Sequence, residues 1–210
     1  MIIAVDGPAA SGKGTIARAL AKHYGLPYLD TGLLYRAVAL NVARMGLDPE
    51  QEADAVAACD FDDAVMTDPA LRDDDVGAMA SIVSAHPLVR AALMQRQKRF
   101  AAQAGGAILD GRDIGTVIAP DADAKLFVKA TPNIRAQRRH AELQARGGTV
   151  SKDRVLADIR ARDARDSGRS IAPLVMAPDA ALLDTSFLSI EASVQRAVAL
   201  VEAQRAKKAG

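Results

Sequence analysis

Between Ile2 and Tyr24 the chain runs a short apolar segment (Ile2 to Val5), then Gly7-Pro8-Ala9-Ala10-Ser11-Gly12-Lys13-Gly14-Thr15, then a stretch of helical period from Ile16 to Tyr24. Glycines at both ends of a turn between a strand and a helix let the backbone approach a ligand closely. The amides of the helix start and the Lys13 ammonium add positive potential at the same point. This order of strand, glycine-spaced loop, lysine, hydroxyl and helix is that of a loop that wraps phosphates. Residues Gly7, Pro8, Ala9, Ala10, Ser11, Gly12, Lys13, Gly14 and Thr15 are therefore expected to hold the β and γ phosphates of a nucleotide. An ordinary glycine-rich turn would need neither the lysine nor the hydroxyl. The strict pattern has Ser or Thr directly after the lysine, where this chain has Gly14, so a direct metal ligand is missing there. Mg²⁺ keeps several waters and binds mainly through substrate phosphates, so metal-assisted chemistry stays open.

Short apolar runs recur at Pro27 to Leu29, Ala107 to Leu109, Lys125 to Val128 and Ala181 to Leu183. They alternate with helix-favouring segments at Leu33 to Met45, Leu88 to Ala104, Pro132 to Arg146, Lys152 to Asp166 and Ser189 to Lys207. Strand alternating with helix predicts an α/β fold of three layers, a five-stranded parallel sheet flanked by helices, with ligands at the carboxyl ends of the strands. Three segments break the rhythm. The acidic stretch Asp48 to Asp75 reads as a small appendage, Ala145 to Ser151 with Gly147-Gly148 as a hinge or lid turn, and Ser170 to Asp179 as a loop returning to the last strand.

The chain has 210 residues and a formal net charge of +1, which suits one domain with appendages and argues against a protein that mainly holds a nucleic-acid backbone. Cys59 is the sole cysteine, and His23, His86 and His140 are scattered, so neither a disulfide framework nor a metal cage is expected. The N-terminus lacks the pattern of a signal peptide and no apolar window reaches membrane-spanning length. A cytoplasmic protein that touches neither membrane nor nucleic acid is expected.

The combination Asp6-Gly7-Pro8, Gly12-Lys13-Gly14-Thr15, Leu29-Asp30-Thr31-Gly32 with Tyr35-Arg36, Asp110-Gly111-Arg112-Asp113-Ile114-Gly115-Thr116, and Arg162-Asp163-Ala164-Arg165-Asp166 with Arg169 and Ala172-Pro173-Leu174 closely resembles the bacterial cytidylate kinases. These are nucleoside monophosphate kinases of the P-loop class. The resemblance covers nearly the whole chain, and Asp110 to Thr116 is its most specific part. It implies a P-loop NTPase fold and one kinase domain over 1–210, with an acceptor-binding part at 31–105 and a lid at 138–154. The stretch 48–75 would be a shortened form of the insert that many members carry. ATP would be the donor, CMP or dCMP the acceptor, Mg²⁺ the cofactor, and a monomer the working unit. Thr31, Arg36, Ser81, Arg90, Arg112, Asp113, Arg162, Asp166 and Arg169 would contact CMP, with Arg36 and Arg112 on its α-phosphate. Lys13, Asp110, Arg112 and Arg162 would form the catalytic set.

Chemistry reaches the same residues by another route. Phosphoryl transfer needs aligned anionic substrates and neutralised charge on the transferring group, which guanidiniums supply. Arg36 and Arg112 follow strands at the ligand edge, a surface salt bridge being the competing account for each. Asp110 closes its strand as an acid that orients Mg²⁺ or its waters would, or as a turn cap would. Nine arginines lie from Arg135 to Arg169, and the acids among them imply that many are solvated pairs on helix faces. Arg162, Asp166 and Arg169 share one helical stripe, so a carboxylate can hold two guanidiniums for a phosphate. Arg138, with Arg139, flanks the lid on the donor side. Asp113 can accept from the cytosine amine while Ser81 and Arg90 donate to ring acceptors, unless those two are plain helix-surface residues.

Rival readings are weaker. A GTPase would carry Asn-Lys-x-Asp after a late strand, which is missing. A shikimate- or gluconate-type kinase shares the loop but not the Asp110 to Thr116 motif, and a non-catalytic nucleotide-binding module would need none of the arginine stripe.

Overall fold

The computed structural model describes residues 1–209. Its elements begin with β1 (Ile2–Asp6), α1 (Lys13–Tyr24), β2 (Tyr28–Asp30), α2 (Thr31–Met45), α3 (Glu52–Ala57), α4 (Asp74–Val83) and α5 (Pro87–Ala101). They continue with β3 (Ala107–Gly111), β4 (Ala124–Lys129), α6 (Pro132–Ala145), α7 (Lys152–Gly168), β5 (Ala181–Asp184) and α8 (Ile190–Ala209). The chain divides into two compact units, residues 1–29 with 103–210, and residues 30–102.

The first unit is built on a five-stranded sheet in the order β2-β3-β1-β4-β5. β1 runs parallel to β3 and β4, and β4 parallel to β5. Strands covered on both faces are apolar throughout rather than alternating, and β1 and β3 have that character: Ile3, Ala4, Val5, Ala107, Ile108 and Leu109 are fully buried. α1 contributes Ile16, Ala17 and Leu20 to the same core and α8 contributes Ala197 and Val201, packed with Leu126, Val128 and Leu183 of the sheet. Each of the Val, Leu and Ile side chains among them stabilises by about 1.5–3 kcal/mol on burial. α1 stops where Gly25 takes a left-handed conformation, φ 64°. Parallel register sets Asp6 opposite Gly111 and Lys129 opposite Asp184, so the residues that follow these strands emerge at one edge of the sheet.

α6 and α7 form an antiparallel hairpin held by its own small cluster, Ala136, Leu143, Val155 and Ile159. Its turn contains Gly147 at φ 83°, and the Gly148 amide donates back to the Leu143 carbonyl at 2.9 Å.

The second unit, 30–102, is helical. Asp30 caps α2 by accepting from the Gly32 amide, and Pro87 opens α5 at a position where a missing N–H costs nothing. The acidic stretch contains α3 and two 3₁₀ turns, Asp63–Thr67 and Pro69–Arg72, and α4, which carries Ser81, follows outside the helix-favouring segments named from sequence. The aspartates are turn and cap residues: Asp62 accepts from the Ala64 amide at 2.7 Å and Asp68 from Ala70 at 2.9 Å. Local capping of this kind hides helical period behind a run of acids. No single described helix is long and apolar enough to cross a membrane.

Candidate functional site

The phosphate loop leaves β1 at Gly7, whose φ is 155° and whose missing Cβ would stand 2.1 Å from the Val128 carbonyl oxygen of β4. Only glycine fits so close an approach. The loop enters α1 through Gly12 at φ 91°, and Lys13 is the first helical residue, at the point where free amides and the helix dipole favour an anion. Ala10 sits in the left-handed region at φ 58°, an uncommon conformation for a side-chain-bearing residue that the surroundings must impose. Those surroundings are visible. Ala10 packs on the hairpin cluster, Arg135 donates to the Ala9 carbonyl at 3.3 Å, and the Thr185 hydroxyl donates to the Ser11 carbonyl at 2.8 Å. Arg138, expected on the donor side, donates to the Thr185 carbonyl at 2.6 Å and reaches the Ser11 carbonyl at 3.5 Å. Arg139 instead pairs with Glu142 on the face of α6 at 2.8 Å.

Asp110, at 2 % exposure, accepts from the Tyr28 hydroxyl at 2.7 Å, and its Oδ2 lies 3.8 Å from Lys13 Nζ. A Cβ on Gly14 would meet that oxygen at 3.6 Å and the Tyr28 hydroxyl at 3.7 Å. The acid and the phenol therefore stand beside the position where the stricter loop pattern has its hydroxyl.

Arg112 and Asp113 follow β3 and lead into a π-helical turn, Ile114–Ile118. That turn is fastened by Asp6, whose two carboxylate oxygens accept from the Ile114 amide at 2.9 Å and the Gly115 amide at 2.8 Å. Burial raises the Asp6 pKa to about 6, against the lowering effect of those two amides.

Asp166 gathers the arginines. It is 1 % exposed, accepts from Arg112 Nε at 2.7 Å, is bonded by Arg169, and has Arg162 Nε at 3.9 Å. Burial alone would raise its pKa, but the guanidiniums of Arg112, Arg169 and Arg162 and the Arg112 hydrogen bond outweigh that and hold it below the ordinary value. Arg162 shares α7 with Asp166, but the expected single stripe stops there: the helix ends at Gly168 and Arg169 is already extended, so it turns back onto Asp166 from beyond the helix, and the third guanidinium arrives from the β3 loop. The result is a concentration of positive charge oriented by one carboxylate, suited to a substrate phosphate.

Within the second unit, Thr31 opens α2 and is buried. Arg36 reaches the Leu71 carbonyl at 2.7 Å and the Asp73 carbonyl at 3.1 Å, and it lies in the second turn of α2 rather than at its start. Gly77 gives its guanidinium room, since a Cβ there would stand 2.6 Å from Nη2. Ser81 and Arg90 are buried at 1 % and 6 %, so the helix-surface account of them fails. Arg90 also lies over the Tyr35 ring at 5.7 Å.

Sequence reasoning missed four supporting residues. Asp6 lies directly before the loop, Tyr28 opens β2, and Arg135 and Thr185 reach the loop from more than a hundred residues away. Only the placement of Asp6 beside the loop is a signal visible without coordinates.

A model of the cytidylate kinases matches residues 3–203. A protein named cytidylate kinase from Xanthobacter autotrophicus strain Py2 is 59 % identical over 98 % of this chain and 99 % of its own length. Another from Rhodopseudomonas palustris strain CGA009 is 57 % identical over 98 % of each, and one from Bradyrhizobium sp. strain ORS 278 is 55 % identical over the same share. Among solved structures, a gluconokinase from Sinorhizobium meliloti 1021 aligns over 98 % of this chain and 94 % of its own, with a TM-score of 0.56 at 14 % identity. That last likeness speaks to the fold alone.

Proposed function

Because this chain belongs to the cytidylate kinase family, we propose that it transfers the γ-phosphoryl group of ATP to CMP, and to dCMP, giving CDP or dCDP and ADP. An oxygen of the CMP phosphate attacks the γ phosphorus, and the bond from that phosphorus to the β–γ bridging oxygen breaks. The attacking oxygen is already anionic, so no general base is needed. Lys13 and the amides of Gly12 to Thr15 take the donor phosphates and neutralise charge as it develops. Arg112, Arg162 and Arg169, oriented through Asp166, take the acceptor phosphate. Arg36 shares that phosphate and Asp113, Ser81 and Arg90 read the cytosine, with Thr31 beside them; these assignments rest on family resemblance.

Mg²⁺ is the cofactor in this reading, and it supplies charge neutralisation and geometry to the donor phosphates when bound. Asp110 would hold it through water. The fit rests on a buried carboxylate next to Lys13, with a glycine at residue 14 in place of a direct hydroxyl ligand. In this reading 31–105 is the acceptor-binding part and 138–154 the lid, and the enzyme works in the cytoplasm as a monomer, away from nucleic acid and membrane.

The observation that carries the reading is Asp166, one buried acid holding guanidiniums from both the β3 loop and α7. A coupled assay for ADP with ATP over a panel of acceptors tests it. CMP and dCMP should be turned over well above UMP, AMP, shikimate and gluconate. A preference for any acceptor outside the pyrimidine monophosphates would overturn it.

A further inference from the structure

Arg135 lies on α6 with its side chain 4 % exposed. Its Nε donates to the Ala130 carbonyl at 2.9 Å. Nη1 donates to the Ala9 carbonyl of the phosphate loop at 3.3 Å and to Asp163 Oδ1 at 2.9 Å, and Nη2 to Asp163 Oδ2 at 2.6 Å. One planar guanidinium thus grips the phosphate loop with one nitrogen and an α7 carboxylate with two. Asp163 is the residue after Arg162 and stands three before Asp166, so the pair ends on the helix that carries the arginine cluster. A buried ion pair is weak evidence for stability, because desolvation cancels much of its attraction. The hairpin has an apolar cluster of its own to hold it. What the pair adds is register between two places, the strained turn at Ala9–Ala10 and the face of α7 that presents Arg162 and Asp166.

We propose that Arg135, paired with Asp163, is a positioning residue that couples the phosphate loop to the acceptor-phosphate arginines Arg162 on α7 and Arg169 just past its end, so that occupancy of either nucleotide site tightens the other. The inference rests on the proposed function and deepens it. When an acceptor phosphate draws Arg162 and Arg169 in, α7 settles, Asp163 fixes the guanidinium, and the Ala9 carbonyl is held in the conformation that cradles donor phosphates. By linkage the effect is reciprocal: the factor by which a donor tightens acceptor binding equals the factor in the other direction.

The test is titration calorimetry with CMP and a non-hydrolysable ATP analogue, each alone and in the presence of the other, on wild type, Arg135→Gln, Asp163→Asn and the double variant. Wild type should show a coupling factor of about 5–150, the usual range for linked sites. In either single variant the factor should fall close to one. The double variant should be no worse than the singles, because the two side chains act as a unit. Arg135→Lys, which keeps the charge but cannot span both partners, should behave like Arg135→Gln. A purely structural role would lower the thermal midpoint and leave the factor in place. If Arg135→Gln does not fold, the near-isosteric Asp163→Asn carries the test alone. A wild-type factor of one, or an unchanged factor in Asp163→Asn, overturns the proposal. Turnover of CMP by wild type is measured alongside, and its absence would strike the functional reading instead.

Discussion

Lys13 and Arg36 show how differently single residues depend on their setting. Lys13 begins a helix next to a buried carboxylate 3.8 Å away, and its position follows from loop spacing that the sequence displays openly. Lys13→Ala should lower kcat with ATP and CMP by about 10²–10³-fold, the usual cost of one preorganised charge, while circular dichroism and the thermal midpoint report a folded protein. A wild-type rate would remove Lys13 from the reaction. Arg36 was equally visible as a residue type after a strand, but its dependence on Gly77 was not, because the two meet only once α2 and α4 pack. A methyl at Gly77 would intrude on the guanidinium at 2.6 Å, and the flexible end of an arginine yields before a helix does. Gly77→Ala should therefore fold, and it should raise the KM for CMP by about 10–100-fold, the range of a lost charge-assisted hydrogen bond. The KM for ATP should stay within about twofold in the same steady-state experiments. Equal rises in both constants would mean that Arg36 supports the fold rather than the acceptor. For the base, Asp113→Asn should narrow the CMP-over-UMP ratio of kcat/KM by about 1–3 kcal/mol. Equal losses for both acceptors would assign Asp113 to the transfer machinery.

Elements were legible where period and flanking residues agreed. The five strands stand within a residue or two of the apolar runs that announce them, since a strand covered on both faces has no other way to be written. α1 was equally plain behind the phosphate loop, and α7 was legible from Lys152 to within two residues of its end. α3 and α4 were not, because they flank an acidic tract that looks solvated until its aspartates are seen accepting from backbone amides in the 3₁₀ turns between the two helices. The arginine cluster was half legible: the spacing of Arg162 and Asp166 belongs to one helix, whereas Arg169 joins from just past the end of that helix and Arg112 from a distant loop that only the sheet order brings near. The α6–α7 hairpin carries a prediction of its own. Its turn holds Gly147 at φ 83° and it abuts the phosphate loop through Ala10, so donor and acceptor together should fix it against solvent. Amide hydrogen exchange across residues 138–154 should slow in a complex with a bisubstrate analogue. Unchanged exchange there would mean that the hairpin is not a lid.

Across the molecule, two buried acids give stability opposite dependences on pH. Asp166 has a depressed pKa, with burial opposing and Arg112, Arg169 and Arg162 prevailing. The unfolded chain therefore takes up its proton first as pH falls. Its stabilising contribution is complete above the ordinary value of 3.8 and is lost as pH drops through the lower folded value. Asp6 runs the other way. Burial raises it from 3.8 to about 6, so between those two values the native state holds a proton that the unfolded chain has released. Folding is then favoured at the acid end of the window and loses ground as pH rises through it. Two units correspond to roughly 3 kcal/mol at 1.36 kcal/mol per unit. Asp6→Asn removes the titration, and it also sets an amide donor against one of the two backbone N–H groups, which lowers stability by an amount that does not vary with pH. The informative quantity is thus the change with pH of the difference between wild type and variant, from urea unfolding at intervals between pH 4 and pH 8. Relative to Asp6→Asn, wild type should lose stability steadily from pH 4 to about 6 and run level above that. A difference that stays flat across pH 4 to 6 would mean that the amides of Ile114 and Gly115 stabilise the Asp6 carboxylate enough to cancel its burial, leaving the loop that carries Arg112 and Asp113 anchored by an acid already charged at pH 4.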